Sequence, residues 1–149
     1  MFQHRILAGS VVLSSFVAAT ALGALMMRTQ TTIPMPPPDE KTALHKLAYK
    51  PRRFEASVTS VTLKITSEPG VEPVLAQWVF AGGNTDGNVH RVEVQVSLRD
   101  ESGKLLGWFT AKHPLAAGAS NQTFVVPMKV KAKALSAAKT VHIRADWIN

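Results

Sequence analysis

The residues best suited to catalysis or metal binding are scattered along this chain. It has no cysteine. Its five histidines form no H-x-H or H-x-x-x-H pair and are His4, His45, His90, His113 and His142. The lack of cysteine excludes disulfides, thiol catalysis and cysteine-ligated metal clusters. No G-x-S-x-G nucleophile turn occurs. The sequence therefore predicts a non-catalytic protein with no cofactor and no metal site.

A copper carrier stays open as a minor alternative, because methionine and histidine side chains of a β-sandwich can together bind copper. That reading requires Met128 to meet His113 or His142 in space. Surface histidines are the ordinary interpretation, since no spacing in the sequence supports such a meeting.

A lysine-rich segment near the C-terminus is the clearest candidate contact surface. Lys129, Lys131 and Lys133 alternate with small or apolar residues, and Lys139 follows after a small-residue turn. Alternation places the first three on one side of an extended segment. Lysines on an edge strand deter edge-to-edge pairing, which is one interpretation. The other is contact with anionic lipid headgroups or with an acidic partner.

The element that determines where these residues act is the N-terminal segment, residues 1–28. No charge occurs between Arg5 and Arg28, so Ile6 to Met27 is a run of 22 uncharged residues. As a helix this run is about 33 Å long, which matches a bilayer. It is predicted to be a membrane anchor with a cytoplasmic N-terminus. A cleaved signal peptide stays open, with Ala19 to Ala21 as an A-x-A cleavage site.

Small residues recur along one face of this predicted helix. Ser15, Ala19 and Gly23 stand four residues apart, so a second transmembrane helix can approach closely along that face. The segment therefore predicts packing against a larger membrane protein complex.

Residues 29–52 are predicted to be a proline-rich spacer. Pro34 and Pro36 to Pro38 favour an extended polyproline II strut. Asp39 is placed to cap a short amphipathic helix that ends at Pro51, with Leu44 and Leu47 on its apolar face.

From residue 53 to 149 the apolar period changes to two. Val92, Val94, Val96 and Leu98 alternate with polar residues, and the turn after Arg99 predicts a hairpin. A change of phase at Thr59-Ser60 predicts a bulge. Pro127 predicts an edge strand, and the three tryptophans are predicted to lie in the core: Trp78, Trp108 and Trp147. Six or seven strands without intervening helices indicate an all-β, antiparallel, immunoglobulin-like sandwich.

Part of this domain resembles the FxLYD-type immunoglobulin-like domain of bacterial exported proteins. The resemblance covers about residues 58–130 and is carried by Gly82 to Asn84, Val92 to Asp100, Gly103 to Gly107, Leu115 to Gly118 and Phe124. Val96 and Arg99 stand where that family has its Phe and Tyr. The resemblance implies a seven-stranded sandwich with an accessory or binding role and no active site.

Charge and export together narrow the range of partners. The chain has 17 Lys and Arg against 10 Asp and Glu, a balance that favours anionic partners. Because the domain is predicted to be exported, nucleic acid is excluded from these anionic partners. The leading hypothesis is a single-pass inner-membrane accessory subunit that presents its domain in the periplasm to a membrane complex. The alternative is a secreted periplasmic module that binds an anionic ligand or membrane surface.

Overall fold

Two antiparallel β-sheets form a sandwich in the computed structural model, which describes residues 25–50 and 53–148. Strands are numbered in chain order. The first sheet contains, side by side, β1 (Leu25–Pro34), β9 (Thr140–Ile148), β6 (His90–Arg99) and β7 (Leu105–Leu115). The second contains β2 (Thr42–Ala43), β4 (Ala56–Ile65), β5 (Val74–Asn84) and β8 (Gln122–Val130), with β3 (Ala48–Tyr49) also paired to β4. A six-residue helix, α1 (Ala132–Ala137), joins β8 to β9.

The core lies between the two sheets and follows the alternation of the sequence. The four apolar residues of β6 named above are fully buried, which confirms the predicted half-buried strand. Trp78 and Phe80 of β5 face them from the second sheet, and Trp147 closes the core from β9. Burying each aromatic side chain removes about 150–250 Å² from water, so these residues dominate the packing energy.

Three local predictions on register are confirmed. The pairing of β4 with β5 shifts between Val58 and Ser60, at the predicted bulge. The turn after Arg99 closes the β6–β7 hairpin, where Asp100 Oδ1 accepts hydrogen bonds from the backbone N–H of Ser102 and of Lys104. Strand β8 pairs only with β5 among the described strands and is therefore an edge, as Pro127 indicated.

The predicted boundary of the sandwich at residue 53 was wrong, because residues 25–50 belong to the sandwich. Residues Leu25 to Pro34, assigned from the sequence to the end of the hydrophobic helix and to the spacer, form β1 and pair with β9. Thr29, Thr31, Thr32 and Ile33 are β-branched and favour a strand. Among the described residues, the sandwich thus has seven long strands, of which β1 was missed, and two short ones.

The predicted helix between Asp39 and Pro51 is also corrected, as far as residue 50. Asp39 and Lys46 have positive φ, and the chain between them is irregular apart from the short strand β2. Leu44 N–H donates to the Thr59 carbonyl, and the Leu47 carbonyl accepts from Val58 N–H. Pairing with β4 buries both leucines in the core. This pairing supplies backbone partners that an isolated two-turn helix would need to find for itself.

Two further expectations fail near the C-terminal half. Trp108 is 56% exposed, because it lies on the outer face of β7, at the edge of the first sheet. Helix α1 lies between β8 and β9, where no helix was expected.

Within the described residues, no helix is long and apolar enough to cross a membrane. The predicted N-terminal helix lies outside them, apart from its last three residues, Leu25 to Met27, which are in β1.

Candidate functional site

The long strands run between two ends of the sandwich, which differ in chemistry. The N-terminal pole contains the start of β1, the end of β9, the connection 85–89 before β6 and the segment 53–55. The lysine pole contains the end of β1, the connection 66–73, the β6–β7 turn and α1. Ten residues of strand at about 3.3 Å each separate the poles by about 30 Å.

The candidate anionic-contact lysines all lie at the lysine pole, although not as the sequence predicted. Lys129 is on β8, but the strand ends at Val130. Lys131 is the residue before α1, Lys133 lies within the helix, and Lys139 follows it. The three alternating lysines therefore do not share one side of an extended segment. Their order in the chain, from the end of β8 to the start of β9, still groups them at one pole.

The lysine pole also carries carboxylates, so its charge is mixed. None of its acidic residues takes part in the ion pairs of the described structure. These acidic residues are Asp39, Glu40, Glu68, Glu72, Asp100 and Glu101. Glu72 Oε1 accepts a hydrogen bond of 2.9 Å from Ala132 N–H at the start of α1. This pole consequently offers no surface of a single sign to an anionic ligand.

The prolines of the predicted strut line an apolar groove at the lysine pole. One part of the groove has a volume of about 390 Å³ and is lined by Pro34, Pro36 and Leu135. A neighbouring part of about 680 Å³ shares Pro38, Ile65 and Leu135 with it. The proline-rich segment therefore packs on the sandwich, where its rings form one wall of a groove.

At the N-terminal pole, the connection 85–89 is held by a buried polar network. Asn84 Nδ2 donates to the carbonyls of Asn88 (2.8 Å) and Leu115 (3.2 Å), and Asn84 Oδ1 accepts from Asp86 N–H. Asp86 Oδ2 lies 2.7 Å from His90 Nε2. This hydrogen bond lowers the pKa of Asp86, and backbone hydrogen bonds from Asn88 and Gly87 lower it further. These hydrogen bonds tie the connection 85–89 to the ends of β5 and β7 and to the start of β6.

The segment 53–55 is fastened to the same connection. Thr85 N–H donates to the Glu55 carbonyl (2.9 Å), and Glu55 N–H donates to Thr85 Oγ1 (2.9 Å). Phe54 and Val89, one in each segment, are 43% and 55% exposed. Sequence reasoning placed Phe54 on one apolar strand face with Ala56 and Val58, and it did not single out Val89. The exposure of both residues depends on two segments that meet only in the fold.

The outer face of the first sheet is covered by paired polar groups. Arg28 donates two hydrogen bonds to the Asp146 carboxylate, from Nε (2.8 Å) and Nη2 (3.1 Å). Arg144 Nη2 donates to Gln95 Oε1. Burial lowers the pKa of His142, and the positive charges of Arg99 and Arg144 lower it further. These contacts link the strands to one another. The buried Arg144 Nε has no hydrogen-bond partner, although it lies 3.3 Å from Asp146 Oδ2.

The structure does not bring together the copper ligands that the sequence left open. Met128 is buried, and its sulfur accepts a hydrogen bond from Trp78 Nε1 (3.3 Å). His142 contacts Thr32 on the outer face of the other sheet, and His113 stacks on Phe124. Across residues 25–50 and 53–148, no three His, Asp or Glu side chains are grouped as a metal site requires. Ser15, Ala19 and Gly23 lie outside the described residues.

Comparison with known proteins adds little to this geometry. No protein-family model and no curated protein sequence matches the chain. Among solved structures, the enzymatically active domain of tailspike protein 4 of bacteriophage CBA120 aligns at 9% identity with a TM-score of 0.25. The alignment covers 81% of this chain and 17% of that one. A likeness at this level indicates neither a shared fold nor a shared activity.

Proposed function

We propose that this chain is a membrane-anchored, non-catalytic accessory subunit that presents a β-sandwich outside the cytoplasm to a larger membrane protein complex. One observation carries the proposal. The uncharged segment leads into β1 at Leu25 with no intervening spacer, and β1 is paired with β9 along its length. The 19 residues from Ile6 to Ala24 still span about 28 Å as a helix, which suffices for a bilayer.

The strand order supports an immunoglobulin-like sandwich in an unusual arrangement. In the immunoglobulin fold, strands A, B and E share one sheet, while C, F and G share the other. In the second sheet, the neighbours β4, β5 and β8 take the positions of strands A, B and E. In the first sheet, the neighbours β6, β9 and β1 take the positions of strands C, F and G. The first strand of this chain thus occupies the position of the last strand of the fold. Membership of the FxLYD-type family remains a prediction, since no family model matches.

Two surfaces are available to a membrane complex under this proposal. The helix face of Ser15, Ala19 and Gly23 would pack against a transmembrane helix of the complex. The apolar groove and the lysines of the opposite pole would face an extracytoplasmic domain of the same complex, about 30 Å from the bilayer.

A secreted periplasmic module is the second candidate, and one observation favours it. Cleavage after Ala21 would leave Leu22 to Ala24 before β1, so the whole sandwich would survive removal of the signal. In that form the lysines of the lysine pole would be the contact for an anionic ligand: Lys129, Lys131, Lys133 and Lys139.

The test is purification of the full chain from membranes in mild detergent through a C-terminal tag. Intact mass and the retained proteins are then measured by mass spectrometry. An intact N-terminus with stoichiometric membrane subunits supports the anchored subunit. A lone chain that begins near Leu22 supports the secreted module and overturns the anchor.

A matched pair of variants tests the proposed helix face. Ser15→Leu adds bulk on that face, whereas Ser14→Leu adds the same bulk about 100° further round the helix, off that face. Loss of the membrane subunits with the first variant alone would identify the face. Equal retention by both variants would exclude it.

A further inference from the structure

We infer that the N-terminal pole is a lipid-contacting surface that rests on the anionic bilayer in which the N-terminal segment is anchored. The inference rests on the proposed anchor and assigns the lipid contact to a different part of the molecule from the lysine cluster. It involves Arg53, Phe54, Val89 and Arg91.

The chain connectivity places this pole at the bilayer. Leu25 is already part of β1, which leaves no spacer residues between the uncharged segment and the folded domain. Leu25 pairs with Ile148, and Ile148 pairs with Arg91, so the start of β6 lies beside the point where the chain leaves the membrane. The lysine pole lies about 30 Å from this point. Its charges are largely screened from the bilayer, because the Debye length at physiological salt is about 8 Å.

The charges of this pole fit an anionic surface. The carboxylates in this part of the described structure all have partners. Glu55 forms an ion pair with Lys50 at 3.4 Å and Asp146 with Arg28 at 2.8 Å, and Asp86 Oδ2 shares a hydrogen bond of 2.7 Å with His90 Nε2. Arg53 and Arg91 are exposed and take no part in the ion pairs of the described residues. The two arginines of the N-terminal pole are thus left without a carboxylate partner in the described structure. The four lysines of the lysine pole are also outside its ion pairs, but they share that pole with six carboxylates that are unpaired among the described residues.

Apolar side chains accompany these arginines. Phe54 follows Arg53 directly, and Val89 stands two residues before Arg91. Both are exposed, and the reciprocal hydrogen bonds between Glu55 and Thr85 hold their segments together. Apolar tips beside basic residues are the pattern by which interfacial segments bind, with the apolar groups among the acyl chains and the charges at the headgroups.

The cysteine-free sequence makes the test direct, because single cysteines can be introduced at will. Val89→Cys and Val71→Cys form a matched pair: both residues are exposed valines in connections, at 55% and 48%, on opposite poles. The full chain, labelled with an environment-sensitive fluorophore, is reconstituted in phosphatidylcholine vesicles with or without phosphatidylglycerol. A lipid-attached quencher then reports contact. We expect several-fold stronger quenching at position 89 than at 71, and more with the anionic lipid.

Charge reversal supplies the second variant. Arg53→Glu with Arg91→Glu should reduce the anionic-lipid-dependent quenching at 89, by about fivefold in the contact equilibrium for each arginine. Equal quenching at 89 and 71 in a chain that floats with the vesicles would overturn the lipid contact and leave the anchor intact. A chain truncated to remove residues 1–21 that still binds anionic vesicles through position 89 would support the contact independently of the anchor. A full chain that stays with vesicles only when they are anionic, and only through position 89, would overturn the anchor and leave the contact.

Discussion

The ion pair between Arg28 and Asp146 tests the least expected feature of the fold, the pairing of β1 with β9. Replacing Asp146 with Asn removes the charge and keeps the size of the side chain. Asn keeps one acceptor oxygen and presents an NH2 donor in place of the other, so Arg28 loses one of its two hydrogen bonds and its counter-ion. Arg144, whose Nε lies 3.3 Å from Asp146 Oδ2, loses the same counter-ion. The hydrogen bond to Asp146 raises the pKa of Arg28, so the guanidinium stays charged at every accessible pH.

The size of the effect follows from the burial of the two partners. The Asp146 side chain is 10% exposed and that of Arg28 is 40% exposed. Hydrogen bonds to charged groups contribute about 1.5–3 kcal/mol, and exposed ion pairs at most about 1 kcal/mol. A half-buried bidentate pair lies between these, so D146N should lower the free energy of unfolding by about 2 kcal/mol. For a domain of this size that corresponds to a fall in Tm of roughly 6–12 °C.

Urea unfolding of the full chain in detergent micelles, followed by tryptophan fluorescence, measures this. Trp147 is a suitable reporter because its Nε1 donates to Thr29 Oγ1 of β1 (3.3 Å). Glu93→Gln is the control, since Glu93 stands opposite Asp146 on β6 and contacts only the exposed Lys112 (3.7 Å) among basic residues. It should change the unfolding free energy by less than about 0.5 kcal/mol.

A double-mutant cycle with Arg28→Ala decides whether β1 has this register. The pair should show a coupling energy of about 1 kcal/mol, because each single change removes the same contact. Additive effects of R28A and D146N would show that the two side chains do not meet in the folded protein. The assignment of residues 25–34 to the sandwich would then be wrong.

Further predictions concern the interior and the N-terminal pole. Gly82→Ala should destabilise by about 2–4 kcal/mol, since a Cβ there would lie 2.7 Å from a backbone oxygen of β4, whereas Gly87→Ala, with nothing within 4 Å, should be nearly neutral. Trp78→Ala should cost about 3–5 kcal/mol and Trp108→Ala less than about 1 kcal/mol, in the same denaturation assay. Asp86→Asn should destabilise at neutral pH. Because the folded-state pKa of Asp86 is lowered, this difference should fade as the pH falls from about 3.9 through the lowered value.

Each of these has a result that contradicts it. Equal effects of the two glycine changes would mean that β4 and β5 are not in close contact at that point. A large loss from Trp108→Ala would place that ring in the core after all. A destabilisation by Asp86→Asn that does not fade with falling pH would show that the carboxylate acts through packing rather than through its charge.

Much of the sandwich follows from the period of two in the sequence. The strand β6 and its hairpin, the bulge in β4 and the edge position of β8 are all local features. Each depends on residues within about a dozen positions, where alternation, turn residues and proline act directly. Trp108 shows the limit of the pattern. Strand β7 has apolar residues in both phases, at Leu105, Leu106, Trp108 and Phe109, so its period does not identify the inner face.

The missed elements depend on partners far along the chain. Strand β1 lies between an apolar run and a proline-rich segment, and its partner β9 is more than 100 residues away. The spacing of Leu44 and Leu47 fits one turn of helix, yet both are buried by pairing with β4. The candidate lipid-contacting residues were unpredictable for a related reason. Exposure of Phe54 and Val89 at one pole is decided by which connections meet there, and an amino-acid pattern does not carry that information.

The position of β1 relates the fold to the membrane. In the proposed anchored form, β1 is the first strand to leave the membrane, yet it lies at the edge of its sheet beside β9. It can therefore pair only after β9 has been exported. Closing so long a loop costs free energy that grows only slowly with length, about 0.6 kcal/mol for each doubling. The free-energy cost of closing this loop therefore does not prevent the pairing once β9 is present. The pairing also fixes the domain: nine paired positions between Leu25 and Ile148 join the anchor to the centre of the first sheet. Under the proposed anchor, the same pole faces the bilayer in every molecule, and the groove and lysines of the opposite pole face away from it.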